Sequence, residues 1–156
     1  MQEAVERRII ESMESTYPNM FRDVQILAPK CISIRVRKED VMDAAIYLRD
    51  GLGFTHPISA GGVDWLKENR MEVIYYLLNP ENRIMLMFRI DLPRDDPRLI
   101  SMTTVWEAFN FHERETREMF GIEFERHPNP MNLLLPPDWK GGHPLRKDFK
   151  GEGIQT

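Results

Sequence analysis

The segment from Phe111 to Phe149 constrains the fold more than any other part of this sequence. Its first half, Glu113-Arg114-Glu115-Thr116-Arg117-Glu118-Met119-Phe120-Gly121, sets five charges within six residues beside large apolar side chains. Its second half alternates prolines with cations and closes on His143-Pro144-Leu145-Arg146-Lys147-Asp148-Phe149. The last 36 residues hold five of the eleven prolines and five of the nine glycines. Proline fixes φ and has no N–H for a helix or a ladder, so regular structure is expected to end at Gly121. His127-Pro128-Asn129-Pro130 and Leu135-Pro136-Pro137 predict an extended path lying on a surface. A charged helix end tied to such an arm suggests a segment built to dock.

Ahead of this segment the pattern is that of an α+β body. Ala4, Val5, Ile9 and Met13 recur at helical spacing until Tyr17-Pro18-Asn19 breaks them. Val24 to Leu27, and then Ile32, Ile34 and Val36 with Arg35 and Arg37 between, read as strands with one polar face. A second helix is expected from Glu39 or Asp40 to Asp50, with Val41, Ala44, Ala45 and Leu48 on one stripe and Gly51 and Gly53 ending it. Glu72 to Leu78 and Arg83 to Asp91 form a predicted hairpin around Asn79-Pro80-Glu81-Asn82, and Ala60-Gly61-Gly62-Val63 reads as a turn. Pro93 and Pro97 mark a loop. Ser101, Thr103 or Thr104 then offers an N-cap for a helix from about Val105 to Gly121, with Val105, Ala108, Phe109 and His112 on its apolar face. Glu113 with Arg117, and Arg114 with Glu118, are i,i+4 opposite-charge pairs. The expected architecture is a small mixed or antiparallel sheet with helices packed on it, residues 1–121 forming the body and 122–156 an extended proline-rich arm.

Composition narrows the function. At 156 residues, with 42% hydrophobic and 29% charged residues, the chain can bury a core. Lys and Arg number 21 against 25 Asp and Glu and interleave with them, so a basic patch for nucleic acid is missing. No stretch approaches the about 20 apolar residues that span a bilayer, and the charged start, with Glu3, Glu6, Arg7 and Arg8, lacks the apolar run of a signal peptide, so the chain is expected to stay in the cytoplasm. The single cysteine, Cys31, excludes an internal disulfide and a four-cysteine zinc or iron–sulfur site made by this chain alone. Its place in Lys30-Cys31-Ile32-Ser33-Ile34 reads as a small strand residue rather than a reactive thiol.

Several chemical readings compete for the charged segment. His112, Glu113, His127 and His143 could converge on a metal, but no HExxH or HxH spacing supports it, and each His-Pro pair reads as a turn whose imidazole bonds backbone. Glu113 to Glu118 could be a solvated face. Phe111, Met119 and Phe120 argue instead that burial draws charges inward, where they need partners inside the chain or across an interface. General acid–base work is disfavoured because the neighbouring arginines hold the carboxylates ionised. Asp64-Trp65, after the two glycines, reads as structural, the indole capping a core.

One stretch carries a resemblance. Glu113-Arg114-Glu115-Thr116, Met119-Phe120-Gly121-Ile122, His127-Pro128, Leu133-Leu134-Leu135-Pro136, Trp139-Lys140-Gly141 and His143-Pro144-Leu145-Arg146-Lys147-Asp148 resemble the thirty-kilodalton subunit, or C subunit, of the respiratory complex I family. Gly53-Phe54, Val63-Asp64-Trp65, Val73-Ile74-Tyr75-Tyr76-Leu77 and Trp106-Glu107-Ala108 follow in the family's order. The likeness covers about Leu52 to Phe149, and related membrane-bound [NiFe] hydrogenases share it. It departs at Met131-Asn132, where the family usually has an arginine pair, and at Gly141-Gly142, where it usually has one glycine.

The resemblance implies a non-catalytic scaffold subunit on the peripheral arm of a membrane-bound, ion-translocating oxidoreductase, on the cytoplasmic side of the membrane. It implies no cofactor in this chain, with iron–sulfur clusters, and nickel–iron in the hydrogenase relatives, carried by partner subunits. Those partners would be the large catalytic subunit, which is the D subunit of complex I or the large subunit of the hydrogenases, and an iron–sulfur small subunit. Glu113, Arg114, Glu115, Arg117, His127, His143, Arg146, Lys147 and Asp148 would be interface or scaffold residues, none of them catalytic. The alternatives are a stand-alone metal-dependent enzyme using His112, His127 and His143, and a general adaptor outside any redox complex.

Overall fold

The computed structural model describes residues 3–151. They divide into two compact units, residues up to 59 with 74–91, and residues 60–73 with those from 92 onward. The element order is α1 (Glu3–Thr16), β1 (Arg22–Ala28), β2 (Cys31–Val36), α2 (Val41–Ile46), β3 (His56–Trp65), β4 (Arg70–Asn79), β5 (Ile84–Pro93), β6 (Arg98–Ile100), α3 (Phe109–Phe120) and β7 (Glu123–Glu125). Strand order in the main sheet is β1-β2-β5-β4-β3. It is a mixed sheet: β1 and β2 run antiparallel, whereas β2 and β5 run parallel. An α+β fold is thus what the periodicities predict.

In the first unit the parallel register sets Ile32 beside Leu86, Ile34 beside Phe88 and Val36 beside Ile90, all buried. Alternation puts these side chains on one face of the pleat, where the apolar contact stabilises the pairing. The inward stripe of α1 differs from expectation. Ile9 and Met13 are buried, but Val5 is 37% exposed and Glu6, at 1%, takes an inward place. α2 continues as a π-helical turn over Tyr47–Gly51, and Gly53 follows at φ +75°. Tyr47 there hydrogen-bonds Ser12 and Thr16 of α1. Asn79 organises the hairpin: its Oδ1 accepts from the backbone N–H of Glu81 and Asn82, and its Nδ2 donates to the Leu52 carbonyl.

In the second unit β6 and β7 pair in parallel around buried Leu99 and Phe124. Two expectations fail here. Gly61 and Gly62 lie inside β3 rather than in a turn, because the missing side chain at Gly62 leaves room for the Phe120 ring, which a Cβ would meet at 2.8 Å. α3 begins at Phe109, not near Val105. Residues 102–108 form turns closed by Val105 and Trp106 N–H on the Met102 carbonyl, and the Ser101 and Thr103 hydroxyls bond each other, with Ser101 also donating to Glu113, instead of capping a helix. The stop at Gly121 is where the sequence puts it, at φ +72°.

After β7 no helix or strand follows among the described residues, but the chain does not take the extended path expected of its prolines. It folds through turns closed by Trp139 N–H on Pro136, Arg146 N–H on His143 and Phe149 N–H on Arg146. The reason is local satisfaction. Backbone groups between the prolines find partners on α3, which holds them close.

Candidate functional site

The charges of α3 face two ways. Glu113, Thr116 and Glu118 are buried, whereas Glu115 is exposed. Glu113 accepts from the Ser101 hydroxyl at 2.5 Å and the Met102 N–H at 2.7 Å. His127, with Nε2 3.8 Å from Glu113, donates from that nitrogen to the Asn110 carbonyl at 3.1 Å and accepts the Asn129 N–H at Nδ1, 3.0 Å away. Glu118 gathers three successive donors, the N–H groups of Leu133, Leu134 and Leu135, at 2.9, 2.8 and 3.2 Å. Arg114, expected to pair with Glu118, instead donates to the Met131 and Asn132 carbonyls at 2.9 and 3.0 Å. One residue of the helix thus collects the loop's donors and another its acceptors. Arg117 pairs with Glu123 at 3.3 Å.

The motif 143–148 closes the other end. A helix leaves its last carbonyls without intrahelical partners. Here His143 donates from Nδ1 to the Glu118 carbonyl at 3.0 Å, Leu145 N–H to Met119 at 3.0 Å, and Arg146 Nε to Phe120 at 2.6 Å. The Arg146 cation also lies at the negative end of the helix dipole. The following residues reach Asp64, whose Oδ2 accepts the Lys147 N–H at 2.9 Å. Arg94 holds Asp64 in a two-point bond at 2.8 and 3.1 Å and pairs with Asp148 at 2.8 Å. The Lys147 ammonium lies 5.8 Å from the Trp65 ring. The Arg94 hydrogen bond, aided by the Lys147 N–H and opposed by burial, holds the Asp64 carboxyl below the usual range, and the same bond raises Arg94.

Glu113, Arg114, Arg117, His127, His143, Arg146, Lys147 and Asp148 therefore all bond within this unit. Sequence reasoning did not count Glu118, Asp64 and Arg94, which anchor them, among the site residues; it read Glu118 as a partner of Arg114 and Asp64 as structural. The available signal was a question of accounting: three leucine N–H groups between prolines have no ladder, so an acceptor must be found for them. His112 bonds the Ala108 carbonyl at 3.3 Å. Its imidazole, His127 and His143 are each turned to a different backbone group, and no three His, Cys, Asp or Glu side chains gather as a metal site among the described residues.

Outside this network stand apolar side chains. Phe111, Met131, Leu134 and Leu145 are 54–66% exposed, and the Arg114 guanidinium lies 5.8 Å from the Phe111 ring.

Fold and site together define a class: an α+β module whose charged motif fastens its own loop and leaves apolar side chains outside. The chain is a member of the family described as the respiratory-chain NADH dehydrogenase 30 kDa subunit, whose model matches residues 34–155. The C subunit of the F(420)H(2) dehydrogenase of Methanosarcina mazei is 37% identical over 93% of this chain and 92% of its own length. The C subunit of the NADH-quinone oxidoreductase of Roseiflexus sp. is 42% identical over 75% of this chain and 68% of its own. Among solved structures, the trypsin-resistant fragment of Nqo5 superposes with a TM-score of 0.66 at 27% identity, over 80% of this chain and 98% of the fragment. A chain of the membrane-bound sulfane sulfur reductase, an archaeal respiratory membrane complex, gives 0.76 at 22% identity, over 92% and 85%, a likeness of fold. No described helix is long and apolar enough to cross a membrane.

Proposed function

We propose that this chain is a scaffold subunit of a membrane-bound, ion-translocating oxidoreductase. It carries no chemistry of its own and docks on the large catalytic subunit through the segment that begins at Ile122. The reading rests on one observation: Glu118 and Arg114 hold the 131–135 loop from inside while Met131 and Leu134 stay outward. A loop fixed before contact loses less entropy on association, so its apolar side chains contribute more to affinity. Family membership and the roles that the relatives' names carry support the same assignment. Iron–sulfur or nickel–iron centres would then sit in partner subunits, on the cytoplasmic side of the membrane.

Purification of the tagged chain from its native membranes tests this. Co-purification with a large subunit and an iron–sulfur subunit is expected, and recovery of the chain alone from the soluble fraction would sink the idea. Leu134→Asp separates docking from folding: the isolated chain should keep its circular dichroism and melting temperature, while complex yield falls at least about tenfold.

A further inference from the structure

The charge of Arg114 is left over by the network of the second unit. Its Nε and Nη2 donate to the Met131 and Asn132 carbonyls at 2.9 and 3.0 Å, so one edge of the guanidinium fork is engaged and its plane is held. Both acceptors are neutral. Glu118, one turn along α3, is occupied by the Leu133, Leu134 and Leu135 N–H groups, and Arg114 forms no ion pair among the described residues. Its Nη1–Nη2 edge therefore keeps donors without acceptors. A cation held in place by its own loop loses little freedom on meeting an anion.

Arg114 lines an open pocket of about 520 Å³ together with Glu107, Ala108, Asn110, Phe111 and Asn129. The 60% exposed Phe111 ring lies 5.8 Å from the guanidinium. Asn110 and Asn129 bond only through backbone atoms among the described residues, which leaves two side-chain amides to donate as well. A carboxylate matches this set, since its two oxygens accept a parallel pair of bonds from a guanidinium edge and further bonds from amides. With Glu107 in the same lining, one negative charge is tolerated better than the two of a phosphate. Continuity identifies the source: Arg114 holds the 131–135 loop, and the Met131 that accepts its Nε bond is itself 66% exposed. Resting on the docking role proposed above, we infer that this pocket receives an aspartate or glutamate side chain of the large catalytic subunit, its carboxylate on the Nη1–Nη2 edge of Arg114.

Two near-isosteric substitutions change the charge of the lining without altering Arg114. The side chains of Glu107 and Asn129 are exposed and make no hydrogen bond or ion pair among the described residues, so Glu107→Gln and Asn129→Asp should leave the fold intact. Parent and variant chains, separately tagged and co-expressed in the native host, compete for places in the membrane complex; the complex is purified through its large subunit and the two forms are counted by mass spectrometry. Glu107→Gln, which removes a repelling charge, should outnumber the parent roughly two- to fivefold, and Asn129→Asp, which adds one, should fall short by a like factor. Ratios near one, or the opposite order, overturn the inference and leave the scaffold role standing, whereas absence of the parent chain itself from the complex overturns both. In an Arg114→Gln background neither substitution should change the ratio, and a difference that persists there takes the carboxylate off Arg114 and overturns the inference as well. The first two variants decide the matter even if Arg114→Gln does not fold.

Discussion

Glu118 shows how one side chain can organise a loop that has no secondary structure. Three successive N–H groups converge on it, and each would be costly to leave unmade in a buried setting, by about 1–3 kcal/mol. Glu118→Ala should therefore speed amide exchange at Leu133, Leu134 and Leu135 by roughly ten- to a hundredfold, while the amides of β2 and β5 keep their rates. Unchanged exchange at the three leucines would refute the anchoring role. Asp64 carries a pH signature. Its folded carboxyl is depressed by Arg94 and the Lys147 N–H, so its contribution is fully present above the unfolded value of about 3.9 and is lost as pH falls through the lower folded value. Asp64→Asn should accordingly lower the melting temperature at pH 7. The gap between variant and parent should shrink as the pH drops below about 4; a constant gap across that range would contradict the linkage.

At the scale of elements, α3 and the segment behind it form one construction. The helix ends on Gly121 at φ +72°, and a Cβ there would lie 2.5 Å from the His143 ring. Gly121→Ala thus combines a left-handed backbone, costing roughly 1–2 kcal/mol, with displacement of the group that caps Glu118. The melting temperature should fall by roughly 2–8 °C, and exchange at Leu145 should rise with it. The two glycines of β3 give a contrast. A Cβ at Gly61 meets nothing within 4 Å, whereas at Gly62 it reaches Phe120. Gly61→Ala should be near neutral in thermal melts and Gly62→Ala destabilising; the reverse order would refute the close approach as the reason for glycine. The i,i+4 pairs expected along α3 misled because sequence spacing cannot say which face is buried. Arg114 and Glu118 lie within reach of each other on a helix, yet tertiary contact offers each a whole set of backbone partners.

For the molecule as a whole, charge reversal at Arg146 should weaken assembly by removing its bond to the Phe120 carbonyl and placing a like charge beside the C-terminal end of α3. The melting temperature of the isolated chain should therefore fall, and complex yield on pull-down should fall with it. Equal yield would remove the 143–148 segment from the docking role. The periodic parts of this protein were legible from residue order alone. Alternating Ile32, Ile34 and Val36 announce a half-buried strand, Met13 and Ile9 an inward helix face, and Gly121 a helix stop, because each follows from local geometry and the burial of apolar surface. The motifs of the Phe111–Phe149 segment sufficed to point to the family. Whether its charges look inward or outward was not. That depended on where distant backbone groups come to rest, with Glu118 under Leu133–Leu135, the 143–146 turn on the last carbonyls of α3, and Asp64 against Lys147. A buried polar group is satisfied by whatever the tertiary fold brings within about 3 Å, and no local periodicity records that.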